Sequence, residues 1–404
     1  MKSGLSFLVA ARQCEIGELE QLALTSELVS VIGRLIHALQ RERGMSNVFL
    51  GSQGTRFGDP RRQQVAECEQ VEQRVREHFD TLDTDASRVR NGARLFSRIA
   101  FVLHALDGLP ALRQRIGAQA LPPEEASAAF VRLIAGLLSV VFEAVDSATD
   151  PDISRALVAM FNFMQGKEFA GQERAFGAAS FASGHTDLAR QQQWRHLIES
   201  QERCFEVFAD FSERPVLDAW HASQQDGGLA ELERLRRIGC APSTDGALDA
   251  NLSQAWYEGC TRRIDAMKLL EDQLAVHLRG LCRRKIAQAR TELRDQQAIL
   301  ETLSREAGAA GPGTPAHYGP QLERSILGMV QEQAHRLQAM SDELETVRAA
   351  LDERKLVERA KGLLMARRRL GEDEAYKMLR QTAMNQNRRL VDVARAVLAM
   401  ADYL

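Results

Sequence analysis

The chain has 404 residues, 45% hydrophobic, 6% aromatic and 26% charged, with a formal net charge of −3. That length holds two or three domains with a sizeable core, and the near-balance of charge excludes a protein coated along its whole length by nucleic acid. Six scattered cysteines and nine histidines without ligand spacing exclude a zinc cluster or disulfide framework, while abundant Leu, Ala, Arg, Glu and Gln predict an all-α fold.

Residues 5–50 place Leu19, Leu22, Leu28, Val31, Ile32, Leu35, Ile36 and Leu39 on one broad helical face, with no proline to interrupt it. The first apolar run is too short for a secretory leader, and no stretch of about 18 uncharged apolar residues follows, so a cytoplasmic protein with no membrane partner is expected. GSQGTRFGDP (51–60) breaks the helix. Helices are then predicted over 60–82, 85–118 and 123–147, the last with Glu124 and Glu125 at its positive end. Another starts at Asp150-Pro151 and runs toward Gln165, followed by the glycine-bearing stretch QGKEFAGQERAFGAASFASG (165–184). Helices near 187–211 and 214–224 lead into 225–248, whose Gly, Pro and Ser read as a partly irregular connection. Residues 251–303 form a long charged helix. Roughly eight helices of this kind suit two stacked up-and-down four-helix bundles.

SREAGAAGPGTPAHYGP (304–320) reads as a flexible linker. It divides the chain into a sensor body over 1–303, a linker and connecting helix over 304–336, and a tail domain over 337–404. Leu337, Met340, Leu344, Val347 and Leu351 keep 3-4-3-4 spacing, a short seam fit for coiled-coil pairing or for docking on the body. Residues 351–404 carry 12 Lys and Arg against 8 Asp and Glu, a local excess suited to a polyanion. Three short amphipathic helices are predicted there. The first stops at Gly371, the second opens on Glu372, Asp373 and Glu374, and the third spans 390–400.

Lys361, Arg367, Arg368, Arg369, Arg380, Arg388 and Arg389 can converge on one side of such a unit and meet phosphates. Gln381, Asn385 and Asn387 add polar groups for unpaired bases. The same cations also suit a solvated helix end, and RRLVDVARAV could pass for part of a helix-turn-helix DNA reader. No nucleophile elbow, phosphate loop, dinucleotide fingerprint or metalloprotease motif occurs, so neither catalytic nor metal-binding residues are expected.

The tail pattern of Arg354, ERAKGLLM (358–365), DEAYKMLRQTAM (373–384), Asn387, Leu390 and DVA (392–394) resembles an ANTAR domain, the RNA-binding module of transcription antitermination regulators. The resemblance implies binding of a leader RNA with paired hairpins, which keeps a terminator from forming and involves RNA polymerase only indirectly. HALQRERGMSNVFL (37–50), GKEFAGQERAFG (166–177) and AWYEGCTRRIDAMKLLEDQL (255–274) resemble the three recurring motifs of NIT domains, all-helical sensors associated with nitrate and nitrite. Nitrate or nitrite is then the effector, with no cofactor.

A guanidinium is planar, stays charged and offers forked donors that match a flat oxyanion. The motif arginines Arg43, Arg174 and Arg263 are therefore the candidate ligands. Arg43 comes first because Gly44 and Ser46 leave room beside it, and Arg236 is a further candidate. Each could instead be paired to a glutamate such as Glu42, Glu168 or Glu173. The expectation is a homodimeric, nitrate-responsive antiterminator whose ligand-free body masks the tail and whose ligand-bound body releases it. The alternatives are a ligand-responsive DNA-binding regulator and a coiled-coil signalling adaptor.

Overall fold

Apolar residues at helical spacing become helices almost everywhere in this computed structural model, which describes residues 4–82, 92–225, 227–241, 246–309, 320–368, 370, 372–386 and 388–400. The chain is all-α; among the described residues the only β feature is an isolated bridge between His185 and Ala247. It divides into two compact units, residues 1–326 and 327–404.

The first unit holds α1 (Gly4–Gly51), α2 (Gly58–Asp80), α3 (Gly92–Asp107), α4 (Leu109–Gly117), α5 (Pro123–Asp146), α6 (Pro151–Ala182), α7 (Leu188–Phe211), α8 (Arg214–Ser223), α9 (Gly227–Cys240) and α10 (Leu252–Ala309). One packed group is α1 with α2 and α5, extended by α3 and α4; the other is α6 with α7, α9 and α10, joined by α8. Contacts of α1 with both α10 and α6 link the groups. The first group buries Val29, Ile32, Leu35, Ile36 and Leu39 of α1. Each such side chain withdrawn from water contributes about 1.5–3 kcal/mol. The second is centred on Phe163, which packs against Phe205, Phe208 and Trp220.

Direction follows from the cross-links. Early residues of α1 meet late residues of α10, as Arg12 with Glu292 and Ser26 with Cys282. Likewise Asp150 at the start of α6 meets Lys285, and Ala178 near its end meets Ser253. Both α1 and α6 thus run antiparallel to α10 and parallel to each other. Asp150 also caps α6, accepting from the Ile153 amide at 3.0 Å, and Asp187 caps α7, accepting from Arg190 at 2.7 Å.

Several boundaries differ from the sequence expectation. The helix expected over 85–118 is broken by Gly108 and Pro110 into α3 and α4, and residues 83–91 lie outside the described set. The glycine-bearing stretch 165–184 is mostly helix, continuous with what precedes it. Its glycines admit large neighbours: Phe205 presses on Gly166, and Trp194 and Trp256 on Gly177. Residues 227–240, expected to be partly irregular, form α9, which buries Leu232 and Leu235. The long final helix of the unit continues through Ala309, past the expected linker start at Ser304, while 310–319 are outside the described residues.

Three helical stretches, Phe7–Gly51, Ala93–Gly117 and Pro123–Asp146, are apolar and long enough to cross a membrane by length and composition alone. Their apolar windows carry up to two charges, which the sequence criterion of uncharged runs passed over. Packing takes up 61% of that window in α1 and 56% in α5, against 22% in the α3–α4 stretch.

The second unit holds α11 (Pro320–Arg368) from Leu327 onward, which leads without a break into the tail, followed by α12 (Glu372–Gln386) and α13 (Leu390–Ala399). Among the described residues the first tail helix reaches Arg368, and its expected stop, Gly371, lies outside them. Ala360, Leu364, Ala375, Leu379, Ala383, Val393 and Ala394 form the core, with small residues at the crossings so that three short helices close tightly. Along the predicted seam Leu344 and Val347 are buried and Leu337 is exposed, while the side chain of Leu351 lies outside the described residues.

Candidate anion site and nucleic-acid face

Where α1 passes α6, two arginines are buried side by side. Arg43 forks onto Glu168, Nη1 donating to Oε1 at 2.5 Å and Nη2 to Oε2 at 3.2 Å. Gln40 and Gln172 donate to the same carboxylate at 2.8 and 2.9 Å. The alternative that Arg43 is paired to a glutamate thus holds. Arg174 differs. Its Nη1 donates to the Thr261 hydroxyl at 3.2 Å and its Nη2 to the Gln40 carbonyl at 3.4 Å, and its guanidinium lies 5.2 Å from the Tyr257 ring centroid. Among the described residues it forms no ion pair. It is only 5% exposed, so burial, with Arg43 alongside, pushes this guanidinium below its ordinary range.

Glycines make the approach possible. A Cβ on Gly44 of α1 would stand 2.7 Å from Arg174 Nη2, and one on Gly171 of α6 would stand 2.6 Å from Arg43 Nη2. Nearby Gln40 Oε1 and the buried Ser46 hydroxyl have no partner among the described residues. The surroundings are positive: burial first, then Lys167, Lys268, Arg41 and Arg174, push His37 down to about 2, so its imidazole stays neutral. Lys167 is itself paired with Glu271.

Arg263, the third motif arginine, turns elsewhere. It donates to Gln201 of α7 at 2.8 Å and lies 6.0 Å from the Phe205 ring centroid, with its Nε buried and unpartnered. Burial and Arg236 push it to about 10. Arg236 grips Glu173 through Nε at 2.8 Å and Nη2 at 2.6 Å, and reaches Glu233 at 2.6 Å. Trp194 and Gln201 complete the coordination of Glu173 at 3.2 and 2.6 Å. Arg236 is thus the cation of a closed buried pair. The motif arginines divide into Arg43 with Arg174, and Arg263 with the α7–α9 network.

Sequence reasoning did not single out Gln40, Tyr257 or Thr261. The signals were there: Gln40 lies three residues before Arg43, and Tyr257 and Thr261 are four apart on one face of α10.

In the second unit the outer face of α12 exposes Lys377, Gln381, Met384 and Asn385, with Gln381 donating to Asn385 at 2.9 Å. Arg367 and Arg368 are exposed at the end of α11, and Arg388 and Arg389 at the start of α13. Arg389 also donates to Asp392 at 3.3 Å. Arg380 is partly buried. Lys361, expected on this face, is 8% exposed because it sits beside core Ala360 on the inner side of α11. Arg369 and Asn387 lie outside the described residues. Lys377, which the sequence reading omitted, falls on the line of Gln381 and Asn385 at four-residue spacing.

A family described as NIT, nitrate and nitrite sensing, matches residues 34–279, and the ANTAR domain family matches residues 345–398. The nitrate regulatory protein of Klebsiella oxytoca is 34% identical over 405 aligned positions, covering 98% of this chain and 95% of that relative. The solved structure of the NasR transcription antiterminator is similar with a TM-score of 0.61 and 33% identity, covering 98% of this chain and 99% of that one.

Proposed function

The chain belongs to the family of nitrate-responsive transcription antiterminators, regulators rather than enzymes, that join a NIT domain to an ANTAR domain, and from that premise we propose how it senses and acts. Nitrate or nitrite is held between α1 and α6 by Arg174 and Arg43. The observation that carries this is the buried Arg174 guanidinium: it has no carboxylate, only two long hydrogen bonds to neutral oxygens, and a second guanidinium beside it. A buried cation in that state is stabilised by an anion that brings three acceptors and one negative charge. Arg263, with its unpartnered Nε, is the second candidate position.

The signal then travels along α10. Tyr257 and Thr261 touch Arg174 near the start of this 58-residue helix, which spans about 87 Å at 1.5 Å per residue. A shift at the anion site is carried along this stiff element to its C-terminal end at Ala309, from which the chain continues in sequence to the ANTAR domain. Ligand binding relieves autoinhibition, provided that nitrate binds the active state more tightly than the inactive one. The released ANTAR unit captures a two-hairpin leader RNA in the cytoplasm, and RNA polymerase is affected only through the missing terminator. Arg367, Arg368, Arg369, Arg388 and Arg389 meet phosphates, while Lys377, Gln381 and Asn385 face the bases. The working form is a homodimer, with exposed Leu337 on the pairing seam. Leader-RNA binding measured with and without nitrate, on the unmodified protein and on Arg174→Ala, tests this reading. Nitrate must strengthen RNA binding in the first and not in the second.

A further inference from the structure

The buried carboxylates around the anion site are each matched by a cation, and among the described residues Arg174 is left without one, as are Arg61 near Glu42 and Arg263 near Glu173. Glu42 is paired with Arg113, Glu168 with Arg43, Glu173 with Arg236, and Glu271 with Lys167 and Lys268. Lys268 also meets Asp272, and Arg41 on the α1 flank meets Glu67. His37 is neutral. Asp265, exposed on α10, acts on Arg174 at a distance without an ion pair. The pocket formed by Arg43, Glu168 and Arg174 therefore has two positive charges and one negative.

We propose that Glu168 is the specificity-determining residue of this site: by neutralising Arg43 it leaves one uncompensated charge, so the pocket accepts a monovalent oxyanion and rejects a divalent one. Nitrate brings the buried set to neutrality. Sulfate, of comparable size and also rich in oxygen acceptors, overshoots to a net negative charge that cannot reach water. Buried net charge of either sign is costly, which turns a difference of one charge into selectivity. Glu168 is suited to the task because it is 2% exposed and held by four donors, from Arg43, Gln40 and Gln172, so it stays fixed as the anion arrives. This inference rests on the Arg43–Arg174 reading and specifies which anions that site admits.

The test is calorimetric titration of the full chain with sodium nitrate and with sodium sulfate, in chloride-free buffer at constant ionic strength. The unmodified protein should prefer nitrate by about a hundredfold or more, and Glu168→Gln should narrow that preference by about tenfold or more, as expected for a change in net charge in a dry site. An unchanged ratio in Glu168→Gln overturns the proposal. If that variant does not fold, the unmodified protein decides alone: sulfate binding as tightly as nitrate is contrary to the proposal, and binding of monovalent chlorate but not sulfate supports it. Arg174→Ala separates the two levels. Undiminished nitrate binding in Arg174→Ala removes the site itself, whereas lost binding there with an unchanged ratio in Glu168→Gln removes only the role of Glu168.

Discussion

Arg43 and Arg174 interlock across two parallel helices, each guanidinium occupying space left by a glycine of the other's helix: Arg43 over Gly171, Arg174 over Gly44. Sequence brings each pair close together, Gly44 next to Arg43 and Gly171 three residues before Arg174. A helix thus supplies an arginine and the gap for its partner's arginine within one turn. Adding a methyl group to either gap tests the site without removing a charge. In Gly44→Ala and Gly171→Ala the only atom met closer than 3.0 Å is the end of an arginine side chain, so both variants should fold. Nitrate affinity should drop by about tenfold or more, the equivalent of about 1.4 kcal/mol. Titration calorimetry with circular dichroism as the folding control checks this; wild-type affinity in both variants would detach nitrate from the helix crossing.

The two arginines should also differ in their effect on stability. Removing Arg43 leaves Glu168 buried without its counter-ion, a change that costs about 3–5 kcal/mol. Removing the uncompensated Arg174 takes away a buried charge with no ion-pair partner. Arg174→Met should therefore be close to neutral in urea unfolding without nitrate, or stabilising, while Arg43→Met is strongly destabilised. Nitrate should raise the stability of the unmodified protein and leave Arg174→Met unaffected, by the linkage between binding and folding. Equal destabilisation by both variants would contradict the charge assignment.

Acid sensitivity should trace to the α6–α7–α9 network. Burial works against the Glu173 carboxylate, but Arg236, then Arg263 and Gln201, hold its pKa below the ordinary 4.5. Since the folded value is the lower one, the unfolded chain binds the proton first. The stabilisation is present above about 4.5 and is lost as pH falls through the folded value. Glu173→Gln should show lower stability near neutral pH and a flatter loss of stability below about pH 4.5. Unfolding free energies measured across that range decide it; a parallel acid loss in variant and wild type would assign the titration to other groups.

Much of this was legible in the sequence, and the failures share physical causes. The face of α1 could be read from spacing because every third or fourth residue is aliphatic from Leu28 to Leu39. That the helix starting at Asp150-Pro151 continues through the glycines of 165–184 is not legible locally, because their partners, Phe205, Arg43 and Trp256, come from distant segments. Helix α9 was hidden by Gly227, Gly228 and Gly239 near its ends, although Leu229, Leu232 and Leu235 keep helical order. For the site, the motif arginines were visible but their partners were not. Which arginine meets Glu168, which meets Glu173 and which meets no carboxylate depends on how α1, α6, α7, α9 and α10 pack, and that is not written in any one motif.

The tail should bind RNA mostly through charge, with a local reading face. Arg367→Glu together with Arg368→Glu should weaken leader-RNA binding by about tenfold or more, lower its salt dependence, and leave nitrate binding intact. Gln381→Ala should change discrimination between leader sequences more than it changes overall affinity. Filter-binding over a range of salt concentrations separates the two effects, and an unchanged salt slope in the charge-reversed variant would remove these arginines from the phosphate contacts.

The most direct measurement is in vitro transcription through a leader that contains a terminator, upstream of a nitrate-assimilation operon, with purified full-length protein in the presence and absence of nitrate. Readthrough should require protein and nitrate together, and Arg174→Ala should remove the nitrate requirement's effect by leaving termination unchanged at every nitrate concentration. Nitrate-dependent readthrough by Arg174→Ala at the wild-type dose response would contradict sensing at the Arg43–Arg174 site.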